Sequence, residues 1–258
     1  MRGIIKYLVL NAVRNRVFLG LNLFLILSIA FAIFLSTTAF VEKNQFATIY
    51  VAGISRVVMQ FGLILFCCLS VNKAFENKEV EFIISKSISR EKFIFGYFLG
   101  FASVAIITFI PLFLVVFLVC QINDLGFLFW STTFIAETFL LICFAILASL
   151  VLHSNFNAIF ASCGFYLISR LMAMFTMSID QSLSQVMQLQ QTKLIGICKF
   201  LLQMLSAIFP RLDLFAQTKW LVYGVQDYSF VKIVIYQFLI YLPLLIVMSF
   251  HDFRKKQF

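Results

Sequence analysis

From Val17 to Val41 the chain runs 25 residues in which the only polar side chains are Asn22, Ser28, Ser36, Thr37 and Thr38. A helix rises 1.5 Å per residue, so this run is long enough to cross the roughly 30 Å hydrocarbon core of a bilayer. A strand of a membrane barrel would instead alternate apolar and polar positions over about ten residues, and no such alternation is present. The run also exceeds the 7–15 residue apolar region of a cleaved signal peptide, which predicts that it stays in place as an anchor.

Similar runs recur. Windows of about 20 apolar residues predict six transmembrane helices, near 17–41, 50–71, 95–120, 128–152, 156–178 and 231–250. The composition demands a lipid solvent too. Apolar residues are 62% of the 258 and charged residues 12%, against roughly 45–50% and 25% in soluble domains. The expected fold class is therefore all-α, a single polytopic membrane domain over residues 1–258.

A net charge of +9 raises the question of nucleic acid. The basic residues flank the apolar runs and form no stripe with interleaved exposed aromatics, so they report topology and no nucleic-acid partner is expected. With the N-terminus inside, one side of the membrane carries Arg2, Lys6, Arg14, Arg16, Lys73, Lys78, Lys86, Arg90, Lys92, Arg254, Lys255 and Lys256. The other side carries Lys43, Lys193, Lys199, Arg211, Lys219 and Lys232. The positive-inside rule then puts both termini in the cytoplasm, a parity that six spans satisfy.

Two segments outside the spans have their own patterns. In residues 1–16, Ile4, Ile5, Leu8, Val9, Ala12 and Val13 recur at helical spacing among Arg2, Lys6, Arg14 and Arg16, predicting an interfacial helix. Residues 179–230 exceed a simple turn and contain an apolar stretch, Leu194 to Phe209. Its sixteen residues are short for a span, and a seventh span would move the basic C-terminus outside. The expectation is an extracytoplasmic re-entrant or surface-lying helix ending at Pro210.

No residue set suggests a cofactor or a metal. Cys67, Cys68, Cys120, Cys143, Cys163 and Cys198 all fall in apolar stretches without CxxC spacing or a neighbouring His, and read as small buried hydrophobes. No paired intramembrane Asp, Ser-His dyad or zinc-type His spacing supports catalysis within the membrane. His153, at the inner end of the fourth run, is expected to reach the interface, and Pro111 and Pro243 to bend their helices.

The charge-dense loop 72–93 lies between the second and third runs. Glu76, Lys78, Glu79 and Glu81 stand among Phe75, Val80, Phe82, Ile83 and Ile84, which predicts a short amphipathic helix. Ser89 is placed to cap the next helix, and Glu91 to favour the positive end of its dipole. From Glu76 to Gly100 this segment resembles the coupling region of type 2 ABC exporter permeases, in the branch associated with multi-copper enzyme maturation. Phe82-Ile83-Ile84-Ser85 stands at the family's leucines and serine, Ile88-Ser89-Arg90 matches its Ile-Ser-Arg, and Gly96 matches its glycine. Ser87 and Tyr97 replace the family's proline and lysine. Pro210-Arg211-Leu212-Asp213-Leu214-Phe215 resembles its Pro-x-Leu-Asp-x-Phe element, and Phe253-Arg254-Lys255-Lys256 its basic end.

That resemblance implies a six-helix permease subunit of an exporter in the bacterial inner membrane, paired as a homodimer or heterodimer. It implies coupling to a separate ABC ATPase through Phe75, Glu76, Glu79, Glu81, Phe82, Ser89 and Arg90. The chain has no phosphate-binding G-x-x-x-x-G-K-[ST] loop, so ATP hydrolysis is expected of a partner and the chain itself is not an enzyme. The rival classes are a secondary transporter, whose usual internal repeats and broken helices are not evident, and a membrane scaffold or assembly factor.

Three ionisable residues, Arg56, Glu137 and Arg170, fall inside runs, where a charge near the centre costs roughly 2.5–3.5 kcal/mol on insertion scales. Counted from the expected outer ends they lie at similar depth. Glu137 and Arg170 are expected to pair, with Arg56 sharing the interaction, either to fix helix register or to line a substrate path.

Overall fold

The computed structural model describes residues 2–38, 43–80, 90–119, 124–152, 154–186, 200, 204, 209–225 and 228–255. Its helices are α1 (Arg2–Arg14), α2 (Arg16–Thr37), α3 (Lys43–Glu76), α4 (Arg90–Val119), α5 (Asp124–Val151), α6 (Asn155–Val186), α7 (Lys219–Tyr223) and α8 (Tyr228–Lys255), with a 3-10 turn at Leu212–Leu214. The described residues contain no strand. Five of the helices, α2, α3, α4, α5 and α8, are long and apolar enough to cross a membrane. The expected fifth run falls on α6, a 32-residue helix whose side chains beyond Met172 lie mostly outside the described set.

Many hydroxyls in these helices bond to their own backbone, as a dry environment favours. Ser28 Oγ donates to the Leu25 carbonyl at 2.8 Å, Ser149 to Ala145 at 2.8 Å and Ser249 to Leu245 at 2.8 Å. The outer surface is apolar: Leu23, Phe24, Ile26 and Phe34 of α2 and Tyr236, Leu239, Ile240 and Val247 of α8 are all exposed. In water this surface would drive aggregation, whereas against lipid tails it carries no such penalty.

The centre is α5. Buried positions make up 72% of its most apolar window, against 33% in α2 and 17% in α8. It packs on α3, α4, α6, α7 and α8. Contacts along the helices fix their directions. Arg56 meets Glu137 while Cys68 approaches Ala145, so α3 and α5 run parallel. Asn155 meets Glu76 while Tyr166 packs edge-on to Phe61 at 5.3 Å, so α6 runs back against α3. Phe253 stacks on Phe93 at 5.4 Å and lies against Phe75. The end of α8 therefore sits at the same end of the bundle as the end of α3 and the start of α4.

The N-terminal helix joins that end. Ile4, Leu8 and Ala12 of α1 are buried while Lys6, Leu10, Asn11 and Arg14 are exposed. Its apolar face lies on α4 at Gly96 and Gly100. A Cβ added at Gly100 would stand 2.4 Å from Leu8 Cδ1, and one at Gly96 3.3 Å from Ile4 Cδ1. The glycine pair four residues apart is a small-residue seam through which two helices approach closely. Asn15 breaks α1 from α2: its backbone is extended, and its side chain accepts a hydrogen bond from the Val17 amide at 3.0 Å.

The helix boundaries differ from the hydropathy windows at both ends of the second and third spans. Residues 72–76 are the last turns of α3 and 90–93 the first turn of α4, so much of the expected loop is helix continuous with the spans. Apolar content stops at the membrane boundary, but backbone hydrogen bonding does not, and Lys and Glu are good helix formers. Residues 81–89, which hold Glu81, Phe82 and Ser89, lie outside the described residues, as do His153 and the stretch 187–199.

Candidate functional site

The intramembrane charges form the first constellation. Arg56 is 1% exposed and Glu137 0%. Arg56 Nε donates to Glu137 Oε2 at 2.8 Å, and Nη2 lies 2.5 Å from the same oxygen. The partner of Glu137 is thus Arg56 on α3, whereas the sequence favoured Arg170 on α6. Helices joined by a short turn are natural neighbours, but α5 is central and presents Glu137 to α3. Arg170 is half-buried and joins the cluster indirectly, its Nη1 donating to the Leu212 carbonyl at 3.4 Å.

The remaining donors of Arg56 are spent on backbone. Nη1 donates to the Ala216 carbonyl at 2.7 Å and Nη2 to the Leu212 carbonyl at 3.2 Å. Both acceptors belong to the segment 209–225, which packs Leu212, Leu214, Phe215, Ala216, Trp220 and Leu221 into the bundle. Ala216 has φ 41°, a left-handed conformation that costs a residue with a Cβ roughly 1–2 kcal/mol. Both of its backbone groups are captured: the carbonyl by Arg56, the amide by Thr133 Oγ1 at 3.0 Å. Gly126 makes the fit possible, since a Cβ there would stand 1.9 Å from the Trp220 carbonyl oxygen.

This arrangement is a clamp. A guanidinium offers five donors in a fixed fork, so one side chain can hold a carboxylate and two carbonyls together. Further along the α3–α5 seam Gln60 Nε2 donates to Thr138 Oγ1 at 2.9 Å. The space there, lined by Gln60, Ile64, Cys67, Thr138 and Ala145, has no room for a water molecule. Between α3 and α5 the charges therefore adjoin packed side chains, with no open passage at that seam.

The second constellation is the bundle end that gathers α1, the end of α3, the start of α4 and the end of α8. Glu76, the last residue of α3, accepts from Asn155 Nδ2 at 3.1 Å and so ties α3 to the start of α6. The chain then turns through Lys78 at φ 55°. Glu79, just beyond, accepts from the Tyr7 hydroxyl at 2.9 Å and so ties the turn to α1. Partial burial, together with the Glu79 hydrogen bond and charge, pushes the Tyr7 phenol above its ordinary value of 10.0. Glu91 pairs with Arg254, linking α4 to the end of α8. Phe75 is half-buried against Phe253. Of the residues expected to couple, Phe75, Glu76 and Glu79 lie together here, and Arg90 opens α4.

Sequence reasoning missed three features. The Gly96/Gly100 seam was readable, because the spacing Gly-x-x-x-Gly stands in the sequence. The contact of Gly126 with Trp220 and the insertion of 209–225 join residues from about 80 to 160 apart, which no local pattern reports. The cysteines follow the expected burial where described: Cys67, Cys68 and Cys143 are buried and Cys163 half-buried, all free. Cys120 and Cys198 lie outside the described residues. The chain matches no protein-family model and no curated protein significantly.

Proposed function

We propose that the chain is the membrane-spanning permease subunit of an ATP-driven ABC exporter in the bacterial inner membrane, crossing six times with both termini in the cytoplasm. The observation that carries this reading is the turn after α3. It lies at the bundle end that gathers α1, the start of α4 and the end of α8, where the basic flanks collect. Glu76 and Glu79 in that turn are tied to α6 and α1, so a force applied there reaches three helices at once. The segment from Glu76 to Gly96 is also the one that resembles an exporter coupling region.

In this reading α6 is the fifth of the six spans and α8 the sixth, and residues 209–225 close the extracytoplasmic end under the Arg56 clamp. The chain binds and hydrolyses no nucleotide. A separate ABC ATPase docks on the cytoplasmic turn, and two permease chains pair to form the pathway. The face of α3 at Ile49, Tyr50, Gly53 and Val57 is a suitable seat for the second chain. It is apolar and open, and a Cβ at Gly53 would meet no other atom within 4 Å.

The test is affinity purification of the tagged full chain from its own membrane. A nucleotide-binding subunit is expected to co-purify and to be lost when Glu76, Glu79 and Glu81 are all replaced by Ala. Retention of the subunit by that variant would remove the coupling role from this turn. Absence of any such subunit from the wild-type preparation would favour a scaffold.

A further inference from the structure

Where α1 gives way to α2, a polar cavity of about 530 Å³ opens against the end of α3. Arg14, Arg16 and Lys73 line it, and none of the three forms an ion pair among the described residues. Asn11 and Asn77 add amide groups, and Glu79, already engaged by Tyr7, contributes the one carboxylate. Ser70 also lines the cavity. Its Oγ is enclosed and without a hydrogen-bond partner, so the cavity's accessible polar groups are those of the cations and amides. Three cations without an ion pair among the described residues, beside one carboxylate that Tyr7 already engages, make a site that lacks an anion.

A second space adjoins the first at Val17. A groove of about 400 Å³ between α2 and α3 is lined by Val17, Gly20, Leu21, Phe24, Phe61 and Leu65. The groove is open at Gly20, where a Cβ would meet nothing within 4 Å. A charged chamber beside an apolar groove fits a molecule with an anionic head and a hydrocarbon tail. Basic pockets between helices on the cytoplasmic side of a membrane are where anionic head groups are held.

We propose that these two spaces form one binding site for an anionic phospholipid, its phosphate between Arg14, Arg16 and Lys73 and an acyl chain along the α2–α3 groove. Free phosphate shares the head-group chemistry but would leave the groove unused. The inference rests on the chain lying in a membrane and is independent of any ATPase partner, since its test contains none.

The test is thermal unfolding of the full chain in a neutral detergent, with phosphatidylglycerol, phosphatidylcholine or inorganic phosphate added. A ligand that binds only the folded state raises Tm. Phosphatidylglycerol is expected to raise Tm by several degrees more than phosphatidylcholine, and millimolar phosphate to do little. The phosphatidylglycerol shift should disappear in Arg14→Gln/Lys73→Gln and shrink in Gly20→Leu. It should persist in Lys92→Gln/Lys255→Gln, which removes two charges elsewhere at the same end of the bundle. Equal shifts with phosphatidylcholine, an equal shift with phosphate, or an unchanged shift in Arg14→Gln/Lys73→Gln would each overturn the proposal. If that variant does not fold, native mass spectrometry of the wild type equilibrated with equal amounts of both lipids decides. Preferential retention of phosphatidylglycerol supports the site, and equal retention overturns it.

Discussion

Arg56 on α3 and Glu137 on α5 approach to 2.5 Å with both side chains fully enclosed, and the same guanidinium holds the Leu212 and Ala216 carbonyls. One residue thereby joins two central helices to a segment about 160 positions further along the chain. Removing one member of a buried pair strands the other charge, at a cost of roughly 3–5 kcal/mol. Arg56→Met and Glu137→Met should each lower Tm in detergent severely, and the double variant should be less destabilised than the sum of the two. Arg56→Lys should fall between wild type and the Met variant, because an ammonium still answers Glu137 but cannot replace the fork that also holds the two carbonyls.

Gly126 is required by the Trp220 carbonyl. In Gly126→Ala the new Cβ meets backbone, which cannot rotate away as a side chain would. Overpacking of this kind costs typically 1–3 kcal/mol. Segment 209–225 should shift outward, and in a Trp130→Phe background the emission of Trp220 should move to longer wavelength. An unchanged spectrum would show that the segment adjusts in place.

The α1–α4 seam predicts a rescue. Gly100→Ala brings a Cβ to 2.4 Å from Leu8 Cδ1, and the shorter side chain of Leu8→Ala removes that clash while leaving a 3.1 Å approach to its Cβ. Amide exchange across residues 2–14 should accelerate in Gly100→Ala and return toward wild type in the double variant. The measurement is hydrogen exchange by mass spectrometry.

The Tyr7–Glu79 hydrogen bond carries a pH dependence. The folded phenol has a raised pKa, so its contribution to stability is complete below the unfolded value of 10.0 and is lost as pH rises through the folded value. Loosening of α1 should therefore begin above about pH 10. Tyr7→Phe should remove that alkaline component, and the difference in absorbance near 295 nm between the two proteins should titrate later than free tyrosine.

The helical class and most of the span positions were legible because lipid leaves a long apolar run few alternatives. Helix ends were less so. Hydropathy marks where the membrane stops, whereas α3 continues to Glu76 on the strength of its backbone. The depth argument brought Arg56, Glu137 and Arg170 to one level but could not assign partners, which depend on how α3 and α6 turn around α5. Burial of Leu212–Leu221 was hidden for the same reason: its neighbours, Thr133, Gly126 and Arg56, come from two distant helices.

The role of the turn after α3 is tested most directly by ATP hydrolysis in the complex purified with the chain and placed in lipid vesicles. The account predicts vanadate-sensitive hydrolysis with the wild-type chain and a fall to background when Glu76, Glu79 and Glu81 are replaced by Ala. Hydrolysis that persists unchanged in the triple variant, or none that co-purifies with the wild type, would contradict it.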